Sequence, residues 1–322
     1  MLSTHKSRYD IAALVLMNLK VTELTEDRLK FTLSNCDQSM ANALRRIMMA
    51  EVPTLAIETV TINENTSVLF DEFLAHRAGL LPINSKNVDR FEYQKECSCS
   101  WSCPNCTIKY TLDVTATDPG ITEVTHHDIQ PADLSISADS VNFPFPVPRW
   151  DRDLSEEENR ARGIVLVKLR QGQQLSMTFE AKKGIGKMHA KFNPTGTVSM
   201  SYEPSIQIDR DVEFDVPVAE RKEVVSSCPR RVFELDEADR IAVVRPSECI
   251  LCEECLNKAN VDLMRPGLVA VNHNTNKFYF DVESTGARPP QDIVSASLKI
   301  FAEKWTKLGT DLEDWEQQFA QT

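Results

Sequence analysis

The chain opens with alternation. Val21, Leu24, Leu29, Phe31 and Leu33 stand among polar residues in the manner of half-buried strands. The period then lengthens: Met40, Ala43, Leu44, Ile47 and Met48 fall at i, i+3, i+4, i+7 and i+8, which gives a helix one apolar face and leaves Asn42, Arg45 and Arg46 off it. Pro53 ends that helix. From Thr54 to Tyr202 come short β-rich runs at residues 56–62, 108–114, 164–169 and 175–179, separated by turn chemistry, so a separate β-rich domain is expected. Inside it, residues 119–159 are rich in Pro, Asp, Ser and Glu; Pro144, Pro146 and Pro148 exclude a central strand there, and residues 156–158 read as a solvated acidic loop.

Pro204 marks a second break, residues 277–282 read as a strand, and a long terminal helix is expected to begin near Pro289 and Pro290, where a missing N–H costs nothing. Along that helix Val294, Leu298, Phe301, Trp305, Leu308, Leu312, Trp315 and Phe319 recur at spacings of four and three. The mean period of 3.5 is that of a helix lying along another helix, with Gly309 as a candidate kink. Periodicity alone allows the stripe to face its own domain, but four aromatic side chains on it favour a partner surface.

Composition narrows the class. With 322 residues, 42% hydrophobic and 26% charged, the chain can build one large domain or two interleaved ones. Its longest apolar run, residues 11–17, falls far short of the roughly 18 to 20 residues of a membrane span. That run also lacks the flanks of a secretory leader, so an intracellular protein without a membrane contact is expected. A net charge of -12 argues against a protein that grips nucleic acid over a broad face.

Eight of the nine cysteines form two compact groups, which in a reducing compartment reads as metal ligation. Cys97, Cys99, Cys103 and Cys106, as C-x-C-x3-C-x2-C, supply four thiolates for a closed tetrahedral site, so structural zinc is expected. A loop so small folds on its metal, whose binding contributes on the order of 10 to 16 kcal/mol in zinc-finger peptides. Cys249, Cys252 and Cys255, as C-x2-C-x2-C, with Cys228 preceding Pro229 upstream, carry ferredoxin-type spacing for one iron–sulfur cluster. Zinc suits four thiolates as well, and an empty site is the third reading; the double x2 spacing favours iron–sulfur.

Other signals are weaker. The stretch from Lys182 to Lys187, followed by His189 and Lys191, matches neither phosphate-loop arrangement and is read as a basic hairpin or docking loop. Asp71, Glu72, His76 and Arg77 lack a nucleophile and are read as a capped, partner-facing helix; His126 and His127 are read as a surface pair. An iron–sulfur oxidoreductase and a free-standing zinc-dependent nucleic-acid binder are the rival classes, and no catalytic constellation supports the first.

The blocks S-M-A-N-A-L-R-R-I-M-M-A-E-V-P at 39–53, D-E-F-L-A-H-R at 71–77 with G-L-L-P-I at 79–83, K-G-I-G-K at 183–187 with H-A-K-F at 189–192, and V-E-S-T-G at 282–286 resemble those of α-like RNA polymerase subunits, in family order. The four-cysteine loop is similar to that of the polymerase II branch, and the second group to the ferredoxin-like insertion of the archaeal counterpart. The resemblance implies an α+β fold with a discontinuous dimerisation domain, residues 1–54 and 265–322. Between these it places a β-rich insert at 55–205, carrying the zinc loop at 97–106, and linker strands with a ferredoxin-like cysteine subdomain at 206–264. It further implies a non-catalytic nuclear subunit, a polymerase part that is not itself an enzyme. The smaller α-like subunit would cover Met40, Ala43, Leu44, Ile47, Met48, Val294, Leu298, Phe301, Trp305 and Leu308. The second-largest polymerase subunit and small zinc-bearing subunits would meet the insert and its loop.

Overall fold

The computed structural model describes residues 17–133, 143–148, 153–155, 157–158 and 162–320. Glu156, at the head of the acidic run expected in the loop of residues 150–160, lies outside the described residues. The strands are β1 (Asn18–Leu24), β2 (Arg28–Ser34), β3 (Thr54–Asn65), β4 (Thr107–Thr115), β5 (Ile121–Thr125), β6 (Gln130–Pro131), β7 (Val165–Arg170), β8 (Gln174–Gly184), β9 (Thr195–Ile208), β10 (Phe233–Leu235), β11 (Ile241–Val243) and β12 (Val269–Ser284). The β runs read from the middle of the sequence fall on these strands, save that Ile164 lies just before β7. The chain divides into two compact units. One comprises residues up to Thr22, Lys30–Asn42 and Ser199–Phe280; the other comprises Glu23–Leu29, Ala43–Val198 and Asp281–Thr322.

The first unit contains most of a four-stranded sheet in the order β1-β2-β12-β9. Phe31 and Leu33 of β2 are buried, as are Phe278 and Phe280 of β12, and the Phe31 and Phe280 rings stack with centroids 4.8 Å apart. Pro204 does not end an element here: β9 runs through it. The reason is topological, since β9 is an edge strand and an edge tolerates a residue that cannot donate to a neighbour. The same unit holds the β10–β11 hairpin and short helices at Arg210–Phe214, Val218–Ser227 and Glu254–Asn257, packed round Val224, Val232, Phe233, Ile241 and Leu268. Glu213 is buried among them and is satisfied by the Ile241 N–H at 2.5 Å and by Arg210.

The second unit is built on the antiparallel sheet β3-β8-β4-β6, and it also holds the antiparallel pair of β5 and β7. Its core gathers Leu55, Ile57, Leu74, Tyr110, Leu112, Met177 and Phe179. Burial pushes the Tyr110 phenol above its ordinary range, and its O–H donates to the Pro144 carbonyl. A short helix, Asp71–Gly79, buries Leu74 and Ala78; Phe70 sits at its N-cap without a side-chain bond, so Asp71 and Glu72 in the first turn and His76 and Arg77 in the last act on the dipole instead. The terminal helix Pro290–Ala320 groups with this unit. Its entry is tied there by the Ser85 N–H to Ala287 carbonyl bond and by Arg288 donating to the Pro53 carbonyl, and the helix runs through Gly309 unbroken. Arg28 and Asp281 form a bidentate pair in the same unit.

The histidine pair divides. His127 is exposed, but His126 is buried at 3% exposure, and its Nδ1 accepts the Ile164 N–H at 2.8 Å, which fixes a neutral ring. The glycines of the 183–187 block are there for packing: a Cβ on Gly184 would strike the Phe192 ring, and one on Gly186 would stand 2.3 Å from the Met49 carbonyl oxygen, where Lys187 donates to Ala50. Close approach of backbone to a helix end, not a phosphate, accounts for that motif.

Two outcomes follow from this packing. Gly186→Ala should destabilise the chain by about 1–3 kcal/mol or more in denaturant unfolding, because the obstructing atom is backbone; a midpoint equal to wild type would contradict the close approach. Burial, then His127, lowers the His126 pKa from 6.5 to about 4. The neutral ring's contribution is therefore complete above pH ~6.5 and lost as pH falls toward ~4. Between pH 7 and 5 wild type should lose about 2 kcal/mol more stability than His126→Asn, and parallel urea curves would refute this.

Candidate metal centres and partner face

The first cysteine group sits where the chain leaves a 3-10 turn at Val88–Arg90 and enters β4. Tight turns bring the ligands round: the Cys97 N–H donates to the Tyr93 carbonyl at 3.0 Å, and the Cys106 and Thr107 N–H groups converge on the Cys103 carbonyl at 3.0 and 2.9 Å. All four Sγ atoms lie within 4.8 Å of one another, with separations of 3.5 Å for Cys97–Cys103, 3.6 Å for Cys99–Cys106 and 3.7 Å for Cys103–Cys106. A tetrahedron of sulfurs about 2.3 Å from a central zinc has edges of about 3.8 Å, so the donor set fits one metal ion of that size. Cys106 is the acidic member, lowered to about 7 chiefly by the Thr107 hydroxyl. Cys97 is favoured by the Cys99 N–H but, bonded to Cys103, is pushed up to about 12.

What the sequence did not disclose is how this loop is fastened. Lys182, 4% exposed on β8, donates to the Gln94 Oε1 at 3.1 Å and lies 5.0 Å from the Trp101 ring centre, while Gln94 Nε2 donates to the Trp101 carbonyl. Lys183 donates to the Phe91 carbonyl at 3.0 Å and lies 4.8 Å from the Tyr93 ring centre. Lys191, read with them as part of a docking loop, is likewise engaged internally, by the Ile57 carbonyl and Glu58. The basic stretch is thus turned largely inward, with Lys187 and His189 left exposed.

The second group is assembled in the first unit. Cys228 caps the helix Val218–Ser227, Cys249 follows a 3-10 turn, and Cys255 is buried in the first turn of Glu254–Asn257. Cys252, exposed, lies between Leu251 and Glu253, both left-handed at φ 54° and 62°. These two residues occupy a region that non-glycine side chains seldom enter, and they turn the short run so that all four cysteines line one small cavity with Val232, Phe233 and Val271. The Val232 N–H donates to Cys228 Sγ at 3.4 Å and the Leu251 N–H to Cys249 Sγ at 3.5 Å. Burial pushes the Cys249 thiol up and the Cys255 thiol to about 11, so a bound cation is what would make them thiolates at neutral pH. Among the described residues only the first group draws its ligand atoms as close as 4.8 Å.

The residues expected to meet a partner fall into three classes. Leu44, Ile47, Met48 and Val294 are already buried within the chain, Met40, Ala43, Leu298 and Phe301 are half-buried, and Trp305 and Leu308 are exposed. Beyond them Leu312, Trp315 and Phe319 are exposed as well, at 54%, 56% and 65%. From Ala302 to Phe319 every residue of the helix is exposed, so the described residues leave this part of the stripe uncovered. The Asp71–Gly79 helix adds a second apolar surface, with Phe70 and Phe73 exposed. No helix among the described residues is long and apolar enough to cross a membrane.

Comparison with known proteins matches residues 30–305 to the RNA polymerase Rpb3/Rpb11 dimerisation domain. The chain is similar to a conjugation stage-specific protein of Tetrahymena thermophila, 38% identical over 89% of this chain and 92% of the relative. It is also similar to DNA-directed RNA polymerase II subunit rpb3 of Dictyostelium discoideum, 37% identical over 90% and 93%. Subunit 3 of DNA-directed RNA polymerases II, IV and V of Arabidopsis thaliana is 36% identical over 94% of each chain. With a family match across most of its length, and relatives covered nearly end to end, this chain belongs to the RNA polymerase Rpb3/Rpb11 dimerisation family.

Proposed function

We propose that this chain is the non-catalytic α-like assembly subunit of nuclear RNA polymerase II. It pairs with the smaller α-like subunit and then supports the second-largest subunit and small zinc-bearing subunits. The observation that carries the reading is the stripe of Trp305, Leu308, Leu312, Trp315 and Phe319, exposed on a helix within a family defined by dimerisation. A heptad-like apolar seam in water is stabilised by burial against a second helix. In this reading the dimerisation domain is discontinuous, residues 1–54 with 265–322, and the β-rich insert at 55–205 presents the Phe70 and Phe73 surface to the larger subunit.

The four-cysteine loop holds structural zinc in this reading, and Cys228, Cys249, Cys252 and Cys255 hold an iron–sulfur cluster. The zinc would tie the loop into a rigid knuckle, and the cluster would fasten the short helices of its subdomain. Neither centre is given a catalytic task, since among the described residues no acid–base constellation accompanies it.

Because Trp305 and Leu312 are exposed, Trp305→Glu with Leu312→Glu should leave this chain folded yet weaken capture of the smaller α-like subunit at least a hundredfold, which is about 3 kcal/mol across two seam positions. Undiminished co-purification would refute the proposed seam. Metal analysis of the co-expressed pair, purified without oxygen, should find zinc that Cys103→Ser removes and iron that Cys252→Ser removes, each variant sparing the other metal. Zinc in both sites, or iron in neither, would overturn the assignment of the second group.

A further inference from the structure

A zinc ion held by four thiolates carries two net negative charges, and a centre of that kind is tuned by the groups that orient its ligands. The first cysteine loop meets two cations, Lys182 and Lys183, adjacent on β8 and therefore pointing to opposite faces of the strand. Neither has a carboxylate partner among the described residues: their partners are Gln94 and the Trp101 ring for one, the Phe91 carbonyl and the Tyr93 ring for the other. For Lys182, almost fully buried, this is an unusual arrangement, because a buried ammonium ordinarily requires a negative counterpart.

The contacts divide between the two limbs of the loop. Lys183 holds Phe91 and Tyr93, and the Tyr93 carbonyl receives the Cys97 N–H, so this lysine orders the limb that delivers the first ligand. Lys182 holds Gln94 and Trp101, and Gln94 is bonded to the Trp101 carbonyl between Cys99 and Cys103, so this lysine orders the crossing segment. Lys182 is also the cross-strand neighbour of Thr107, whose hydroxyl lies 3.5 Å from Cys106 Sγ. We infer that Lys182 and Lys183 are the positioning residues of the four-cysteine centre, a two-point cationic clamp that sets the ligand limbs and offsets the charge of the metal–thiolate group. The inference rests on the reading of that loop as a zinc site. It assigns a role within this chain to the basic block otherwise read as a docking loop.

The test uses the full chain co-purified with its α-like partner and follows release of zinc to an excess of a chromogenic chelator. Lys182→Met and Lys183→Met should each release zinc about tenfold to a hundredfold faster than wild type, the range for loss of a ligand-orienting group. Lys182→Arg, which keeps the charge and the aromatic contact, should recover most of the difference. Trp101 is largely exposed, so Trp101→Ala removes one jaw without disturbing the core and should also accelerate release. Release within twofold of wild type for Lys182→Met, Lys183→Met and Trp101→Ala would overturn the clamp while leaving the zinc site intact. A wild-type chain without zinc, or zinc retained in Cys103→Ser, would instead overturn the metal reading itself and the clamp with it.

Discussion

A helix bathed in water along more than half its length has no reason of its own to carry two tryptophans, two leucines and a phenylalanine on one stripe. Removing such side chains fully from water is worth roughly 1.5 to 3 kcal/mol each, and the described residues leave all five exposed. That unmet burial is the constraint to which the other features answer. Among the described residues the helix is held along its first half, where Ile293, Val294 and Ser297 are buried, Leu298 and Phe301 are half-buried and Lys304 pairs with Glu51. Its 31 residues span about 46 Å, so most of its length is available to another chain. Membership in a family named for dimerisation supplies the kind of surface that covers it.

The two cysteine groups solve a second problem, that of holding small substructures with little core. The loop from Cys97 to Cys106 has one buried cysteine and an exposed tryptophan, too little apolar burial to order it. In the proposed reading, a metal on four converging sulfurs together with two lysines would do what a core does elsewhere. The Cys228–Cys255 subdomain has more of its own, with Val224, Val232, Phe233 and Ile241 buried round it, yet Leu251 and Glu253 are held in left-handed geometry for which local packing gives no return. A ligand shared by the four thiols would compensate that strain.

Much of this was legible in the primary structure because it depends on local period and spacing. The runs at 56–62, 108–114 and 175–179 lie on strands, as does 164–169 apart from Ile164, the apolar face of residues 40–48 is helical, and the 4-3 stripe continues to the end of the terminal helix. The elements that misled depend on neighbours distant in the chain. Pro204 reads as a break until the strand order puts β9 at an edge. His126 reads as a surface residue until the Ile164 N–H meets its ring. Lys182 and Lys183 look like a docking surface because nothing near them in sequence announces Gln94, Trp101 and Tyr93. Likewise, Leu44, Ile47, Met48 and Val294 share a period with the exposed stripe, and only the folded chain separates the side chains it buries from those it offers.

The proline that interrupts the reading of β9 has one more consequence. An open sheet exposes a rim on each side, and an unsatisfied rim recruits strands from other molecules into aggregates. Here one rim carries Pro204, which lacks an N–H to offer an incoming strand, and the other is β1, where Lys20 and Glu23 place charged side chains on the edge strand. The apolar helix can thus remain open to its intended companion while the sheet beside it in the sequence resists indiscriminate polymerisation.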